Sequence, residues 1–488
     1  MGCFDPAYCA VSTRLHSLSS WTPPPMLSRR PSAVMIAWLM ALGLSGCVLA
    51  PWGTPEEAAK LDSVSPLFEP PAEVRELPIL PARATWRDVL HRAFLANGEL
   101  EAAYFEWKAA LARIDREATW PNSNFMFGFR YMFSPEQMKT WNRITLSGTF
   151  MPSVTLQLPI KTLAAGQVAL QAAREASEKF RAVKFELQRK VLNAYLDLAL
   201  AEEKVRIERA NVMLLELLTK SAAARAQAGA PLQDMLKAQA NWEQAKNNLR
   251  NLEAEVHVGG SRLNGMIARD PGAPLALPGA LPPPRPIGVD DARLIEAGVD
   301  KNPELAGLAR QVAGRKDAVN VAMLAFLPDF VPAGSITGNI ERVAEMFVML
   351  PTTVPAILAN IRDAESMTRS SEAILRQTAH DRAASFVANL VIMRNAERQV
   401  FFYRRRLFPI VEQLLNSSRQ AYAAGTVNFA ELIDSQRTYI SVRLMVAEVR
   451  IEREKRLAEL EALAGVDVET LGQPEIAQAE QPDGASLQ

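Results

Sequence analysis

The chain has 488 residues, and 54 Lys and Arg are balanced by 54 Asp and Glu, giving a formal net charge of zero. That balance excludes a general nucleic-acid binder, which needs a basic excess to neutralise phosphates. Hydrophobic residues make up 49% of the sequence, which excludes a disordered chain. Three cysteines, Cys3, Cys9 and Cys47, cannot build a disulfide scaffold or a Cys-based zinc site. His16, His91, His257 and His380 stand singly, and no nucleophile–base grouping is legible. The expectation is therefore no enzyme and no cofactor or metal.

The first element is an export signal. Arg29 and Arg30 precede an apolar run from Ala33 to Leu44, too short to span a bilayer but right for the core of a signal peptide. It closes with Leu44-Ser45-Gly46-Cys47, where small residues give a peptidase access and the thiol can carry lipid. This resembles the bacterial lipoprotein box. Residues 1–46 are thus expected as a signal peptide, with Met26 offering a second start, and Cys47 as the lipidation site. One diacylglyceryl group plus an amide acyl chain anchors firmly. Residue 48 is Val rather than Asp, which by the usual rule for such lipoproteins favours the outer membrane.

Residues 47–83 read as the lipidated cysteine and a Pro-rich linker. A second linker, 271–288, holds the stretch PGAPLALPGALPPPRP and divides the chain into halves, 84–270 and 289–465. The end, 466–488, reads as a polar tail. The halves match in order, an internal two-fold repeat. Each opens with a short amphipathic helix, Ala93 to Leu100 and Gly298 to Leu305, pairing Asn97 with Asn302 and Leu100 with Leu305. Each then meets an X-Pro-polar break, Trp120-Pro121-Asn122 and Leu327-Pro328-Asp329, where the helix must stop.

Beyond each break the pattern is that of strand. Phe125, Phe127, Phe129, Tyr131 and Phe133 alternate with smaller or polar residues, a period of two with one aromatic face. A partner strand runs from Ile144 to Leu158 across Pro152, completing a hairpin at about 122–160. In the second half, Phe330 to Ile336 and Val343 to Leu350 make a shorter hairpin, at about 328–351. Lipid-facing barrel strands need ~9–11 residues with apolar-out, polar-in alternation. Four such strands cannot close a barrel around a lumen, so the strand signal implies oligomerisation.

The remainder is long helix. No proline interrupts the chain between Pro159 and Gly229, and some 66 helical residues would run ~100 Å. Leu187, Val191, Ala194, Leu198, Ala201, Val205, Val212 and Leu215 follow a 4-3 spacing, with Glu208 the polar member of the seam. The second half repeats it through Phe386, Leu390, Met393, Val400, Leu407, Val411 and Leu414, with a kink expected at Pro409. Each long helix ends at a glycine, Gly229 and Gly425, which supplies a left-handed residue before the next helix. Allowing for one residue missing from the first turn, Asp234 aligns with Glu431 and Gln239 with Gln436. Acids in a first helical turn also complement the helix dipole, which is the plain explanation for both.

Together, the lipoprotein box, the paired Asn-x-x-Leu openings, the X-Pro-polar breaks, the Tyr422-x-x-Gly425 turn and Arg262-Leu263-Asn264-Gly265 resemble the TolC-like outer-membrane efflux proteins, in their lipoprotein branch. The resemblance covers essentially the whole chain after Cys47. It implies an α+β membrane protein: a homotrimer whose four strands per chain form a 12-stranded outer-membrane β-barrel, continuous with a long periplasmic α-helical coiled-coil barrel. It implies partnership with a periplasmic adaptor and an inner-membrane pump, and a passive exit duct gated at the helical tips. It places Glu431 and Asp434, with Asp234, at the pore constriction, where tripled acids would favour cations. Gly229, Tyr422 and Gly425 fall in the tip turn and latch. The basic partner usual at 427 is Val here. A lipid-anchored coiled-coil scaffold or adaptor without a pore would explain the helices and the lipoprotein box, but not the alternating aromatic strands.

Overall fold

A computed structural model of the protein describes residues 49–71, 74–120, 123–131, 144–152, 157–229, 231–337 and 341–471. The signal peptide, Cys47, Phe133 and the tail beyond 471 lie outside the described residues.

The body begins at Leu49, whose N–H donates to the Ala118 carbonyl at 2.9 Å. Helix α1, Thr54–Phe68, comes next, which corrects the expectation of a plain Pro-rich linker over 47–83. Pro55 falls in the first turn, where a missing N–H costs least, whereas Pro66 lies inside the helix and forgoes the bond to the Asp62 carbonyl. Burial then decides. Leu61 and Phe68 enter the core, Phe68 stacks on Tyr104 at 5.2 Å, and the buried Glu57 accepts from Trp107 Nε1 at 3.1 Å. Arg75 continues the attachment by donating to the carbonyls of Leu95 and Phe68 and pairing with Glu101.

Helices α2 (Trp86–Ala96) and α3 (Gly98–Glu117) meet at Asn97, and α6 (Asp291–Asp300) and α7 (Pro303–Leu324) meet around Asn302. The Asn97 side chain accepts from the N–H of Leu100, and that of Asn302 from Leu305. Each Asn-x-x-Leu opening is thus a capped junction between two helices, not one short helix. Leu100 and Leu305 are buried just beyond the caps. α3 and α7 both stop ahead of their X-Pro breaks.

The four strands are β1 (Ser123–Tyr131), β2 (Ile144–Pro152), β3 (Asp329–Thr337) and β4 (Glu341–Met349), in one antiparallel sheet of order β1-β2-β3-β4. Sequence pattern predicts a shorter second hairpin, yet all four strands have nine residues. It also carries β2 on to Leu158; β2 is described as far as Pro152, and residues 153–156 lie outside the described residues. The next helix starts at Pro159.

The long helices are α4 (Pro159–Gln227), α5 (Leu232–Met266), α8 (Val354–Phe402), α9 (Phe408–Ala423) and α10 (Phe429–Ala464). α4 has 69 residues and packs against α3, α5, α7 and α10. Its heptad seam is the packed one: Leu187, Val191, Ala194, Leu198, Val205 and Leu215 are buried, as is Glu208. Burial holds the Glu208 carboxyl above its usual range, with an Asn211 hydrogen bond acting the other way.

In the second half the expected kink takes a specific form. Tyr403–Leu407 is a π-turn, in which the Phe408 N–H reaches back five residues to the Tyr403 carbonyl. Pro409, just beyond, has no N–H for the Arg405 carbonyl. Beyond the turn Val411 is buried as the spacing expects, but Leu414 is 46% exposed and Leu415 is buried instead.

The 271–288 linker is also more than a spacer. Asn264 donates to the Ala273 carbonyl, the Ala84 N–H donates to Ala276, and Leu277 is buried. Arg285 donates to both oxygens of Glu461, at 2.9 and 2.8 Å, and from Nε to Glu454. Arg453 joins Glu454 to Glu397, and Arg394 joins Glu397 to Asp291. This chain of ion pairs binds the linker, α6, α8 and α10 together. The start of the tail is packed as well: Val468, in the short helix α11 (Val468–Leu471), is buried and donates its N–H to Glu461.

Candidate functional site

Two places carry chemistry: the turns at the far end of the long helices, and the sheet.

At the α9–α10 turn, Gly425 has φ +76°, the Gly425 N–H donates to Tyr422 O and the Thr426 N–H to Ala421 O. These two bonds satisfy the last carbonyls of α9 as a Schellman motif. Gly229 has φ +99° and bonds back to Ala226 in the α4–α5 turn. Asn428 caps α10 by accepting from the Glu431 N–H at 2.9 Å. Glu431 and Asp434 lie on the exposed side of α10, three residues apart, while Leu432, Ile433, Ser435 and Gln436 face inward. Asp234 is half-buried in the first turn of α5. Among the described residues none of these three acids has an ion pair, and no bond brings them together within one chain.

Tyr422 is buried with Phe429, Leu432 and Ala222. The basic partner of Tyr422 that the sequence did not reveal is Arg225, in the last turn of α4. Its guanidinium lies 4.3 Å from the Tyr422 ring centroid and Nη2 donates to the carbonyls of Tyr422 and Ala423, at 2.8 and 3.2 Å. A cation here also complements the C-terminal dipole of α9. The signal was a basic residue four places before Gly229, but nothing in the sequence tied it to Tyr422, 197 residues away. Further up, Ser418 and Ser435 share a hydrogen bond at 2.8 Å, and Gln436 donates to Asn211. The serine pair links α9 to α10 within the second hairpin, whereas the Gln436–Asn211 bond joins the two helical hairpins.

In the sheet, directly opposed residues share a face. The register therefore places Phe127 and Phe129 of β1 with Gly148, Leu146 and Phe150 of β2, Phe330, Pro332, Gly334 and Ile336 of β3, and Ala344, Met346 and Val348 of β4. Phe127 is 84% exposed, and Phe129, Leu146 and Met346 are exposed too. The opposite face carries Arg130, Thr145, Ser147, Thr149, Ser335, Thr337, Glu341 and Glu345, interspersed with Met126, Val331, Val343, Phe347 and Met349. The first face is thus apolar and open, and the other is mixed but the more polar of the two. β1 and β4 are both edge strands. Among the described residues, no group of His, Cys, Asp and Glu could hold a metal ion.

Residues 89–267 match the family model described as outer membrane efflux protein. A search of the curated proteins found no match. Among solved structures, a membrane protein from Pseudomonas aeruginosa superposes with a TM-score of 0.67 at 18% identity, covering 80% of this chain and 96% of that one. CmeC, an outer membrane channel from Campylobacter jejuni, gives 0.66 at 12% identity, over 78% and 85%. The open state of the MtrE outer membrane channel from Neisseria gonorrhoeae gives 0.66 at 15%, over 80% and 91%. Over residues 89–267 the chain is similar to the outer membrane efflux proteins, and it has the fold of the TolC-like outer-membrane channels.

Proposed function

We propose that the protein is the exit duct of a tripartite export system: a homotrimeric, passive channel from periplasm to exterior. The observation that carries this is the sheet. One face is apolar and open, the other is the more polar and holds most of the sheet's hydroxyls and its carboxylates, and both edge strands have nine residues and no partner on the outside. A lone sheet of this kind would expose apolar side chains and unpaired backbone groups at once, a costly combination in water or in lipid. Three copies joined edge to edge make a closed barrel of 12 strands, with the apolar face to lipid and the polar face to the bore.

The helices then line a tunnel in the periplasm, built from two repeats, 84–270 and 289–465. The turns at Gly229 and Gly425 form its inner mouth, where a periplasmic adaptor docks and an inner-membrane pump delivers the cargo. Arg225 and Tyr422 hold the two hairpins of a subunit together at that mouth. Exposed Glu431 and Asp434, tripled and joined by Asp234, give the entrance a negative field that favours cations. Cys47 carries the lipid anchor in the outer membrane.

The purified protein should run as a detergent-stable trimer and conduct ions in planar bilayers. A monomer without conductance returns the scaffold reading. Glu431→Ala with Asp434→Ala should lower cation selectivity while leaving the trimer intact; unchanged selectivity would reduce both acids to helix-dipole partners of α10.

A further inference from the structure

The apolar face of the sheet carries a single charge among its described residues. Arg342 of β4 stands opposite Ile336, on the face shared with Phe127, Gly148, Met346 and Val348. Glu341 and Glu345, opposite Thr337 and Ala333, lie on the other face. Arg342 is exposed and has no ion pair or hydrogen bond among the described residues. Its depth comes from the topology. Every helix joins the sheet at one end: α3 leads into β1, α7 into β3, and β4 leads into α8. Arg342 is one residue from the opposite end of β4, remote from all of them.

An arginine on a lipid-facing strand is costly at the bilayer midplane and nearly without cost near the interface. At the remote end, a long side chain can reach the headgroup layer while its stem stays among Ile336 and its neighbours. A planar guanidinium without a carboxylate is matched there by phosphate, which it binds with two parallel hydrogen bonds. Closure of the barrel would bring β4 against β1 of the next copy, and Tyr131 ends β1 on the same face at the same remote end. Tyrosine favours the interfacial layer for its own reasons.

We propose that Arg342 binds the phosphate of an outer-leaflet lipid headgroup, fixing a phosphorylated lipid to the outside of the barrel near each subunit seam. This rests on the reading of the protein as a channel. The test is native mass spectrometry of the full-length detergent-purified protein titrated with diphosphorylated lipid A, with dephosphorylated lipid A and inorganic phosphate as controls. Retention of the diphosphorylated form should exceed that of the dephosphorylated form, fall about tenfold in Arg342→Gln, and recover in part in Arg342→Lys. Inorganic phosphate at equal concentration should not displace it.

Equal retention of the two lipids, or unchanged retention in Arg342→Gln, overturns the proposal. So does displacement by free phosphate, which would make Arg342 a simple anion contact. Conductance measured on the same samples separates the two levels: a conducting trimer without lipid preference refutes this inference alone, whereas absence of conductance refutes the channel.

Discussion

The middle of the molecule and the tip of its long helices are held by different physics. Around the middle, Tyr104, Trp107, Phe68 and Phe180 pack with α4, and on the other side Arg285 is clamped between Glu461 and Glu454. Both glutamates are buried, so the cation cannot be removed without stranding negative charge. At the tip the core is mostly small or aliphatic, Ala222, Ala238, Ala245, Leu215, Leu415 and Leu432 around Tyr422 and Phe429. The bonds between hairpins there are the Gln436–Asn211 contact, the Arg437–Asn241 contact and one arginine on a tyrosine. One set of helices can therefore be rigid at its centre and separable at its end without a change of secondary structure. Separability resides in weak polar contacts between hairpins, each worth about 1 kcal/mol.

The strongest challenge to this contrast is Arg285→Met, which should lower stability by about 3–5 kcal/mol in denaturant unfolding. Adding Glu454→Gln and Glu461→Gln should return much of the loss, since the stranded charges are gone. A small loss in the single variant would show that the middle is held by its apolar core alone. Gly425→Ala is next. A Cβ there meets open space, so its cost of about 1–2 kcal/mol comes from the left-handed backbone alone. The expected sign is faster amide exchange confined to residues near 421–432, with the middle unchanged.

Arg225→Ala should cost about 1 kcal/mol and act on the tip only. Bilayer recordings should show a higher open probability, and Arg225→Lys should restore less than the full effect, because lysine cannot both cover the ring and fork to two carbonyls. Unaltered gating would make Arg225 a helix cap with no latch role. The smallest effect is at Glu208→Gln in the seam between the two regions. The folded state raises the Glu208 pKa through burial, so the carboxylate is the disfavoured form, and the seam gains stability as pH falls through the folded pKa. The glutamine variant should therefore melt higher than the parent at neutral pH and match it in mild acid. An identical pH profile in both would remove Glu208 from the account.

Much of the fold was legible because local physics wrote it into short patterns. Alternating aromatics at 125–131 marked β1, and the 4-3 spacing from Leu187 to Leu215 marked the packed stripe of α4. Gly229 and Gly425 marked both turns. Other features left no such signal. Helix α1 hid in a proline-rich segment, because what makes it a helix is Glu57 beneath Trp107 and Phe68 against Tyr104, contacts 50 and about 35 residues away in sequence. Leu414 and Leu415 exchanged roles in the stretch beyond the π-turn and Pro409, where a strict heptad count no longer follows the packing. Val427 suggested a missing basic partner, yet Arg225 lies on Tyr422 from a different helix.

Patterning along the chain was enough to set the elements, their order and the strand faces, since periodicity and capping act between residues that are close in sequence. Which proline-rich segments are pinned, where Arg285 finds its two glutamates and which arginine lies on Tyr422 were settled in three dimensions. Those choices depend on burial and charge pairing between helices far apart in sequence, where the gain from a partner arises only after the chain has brought the two together.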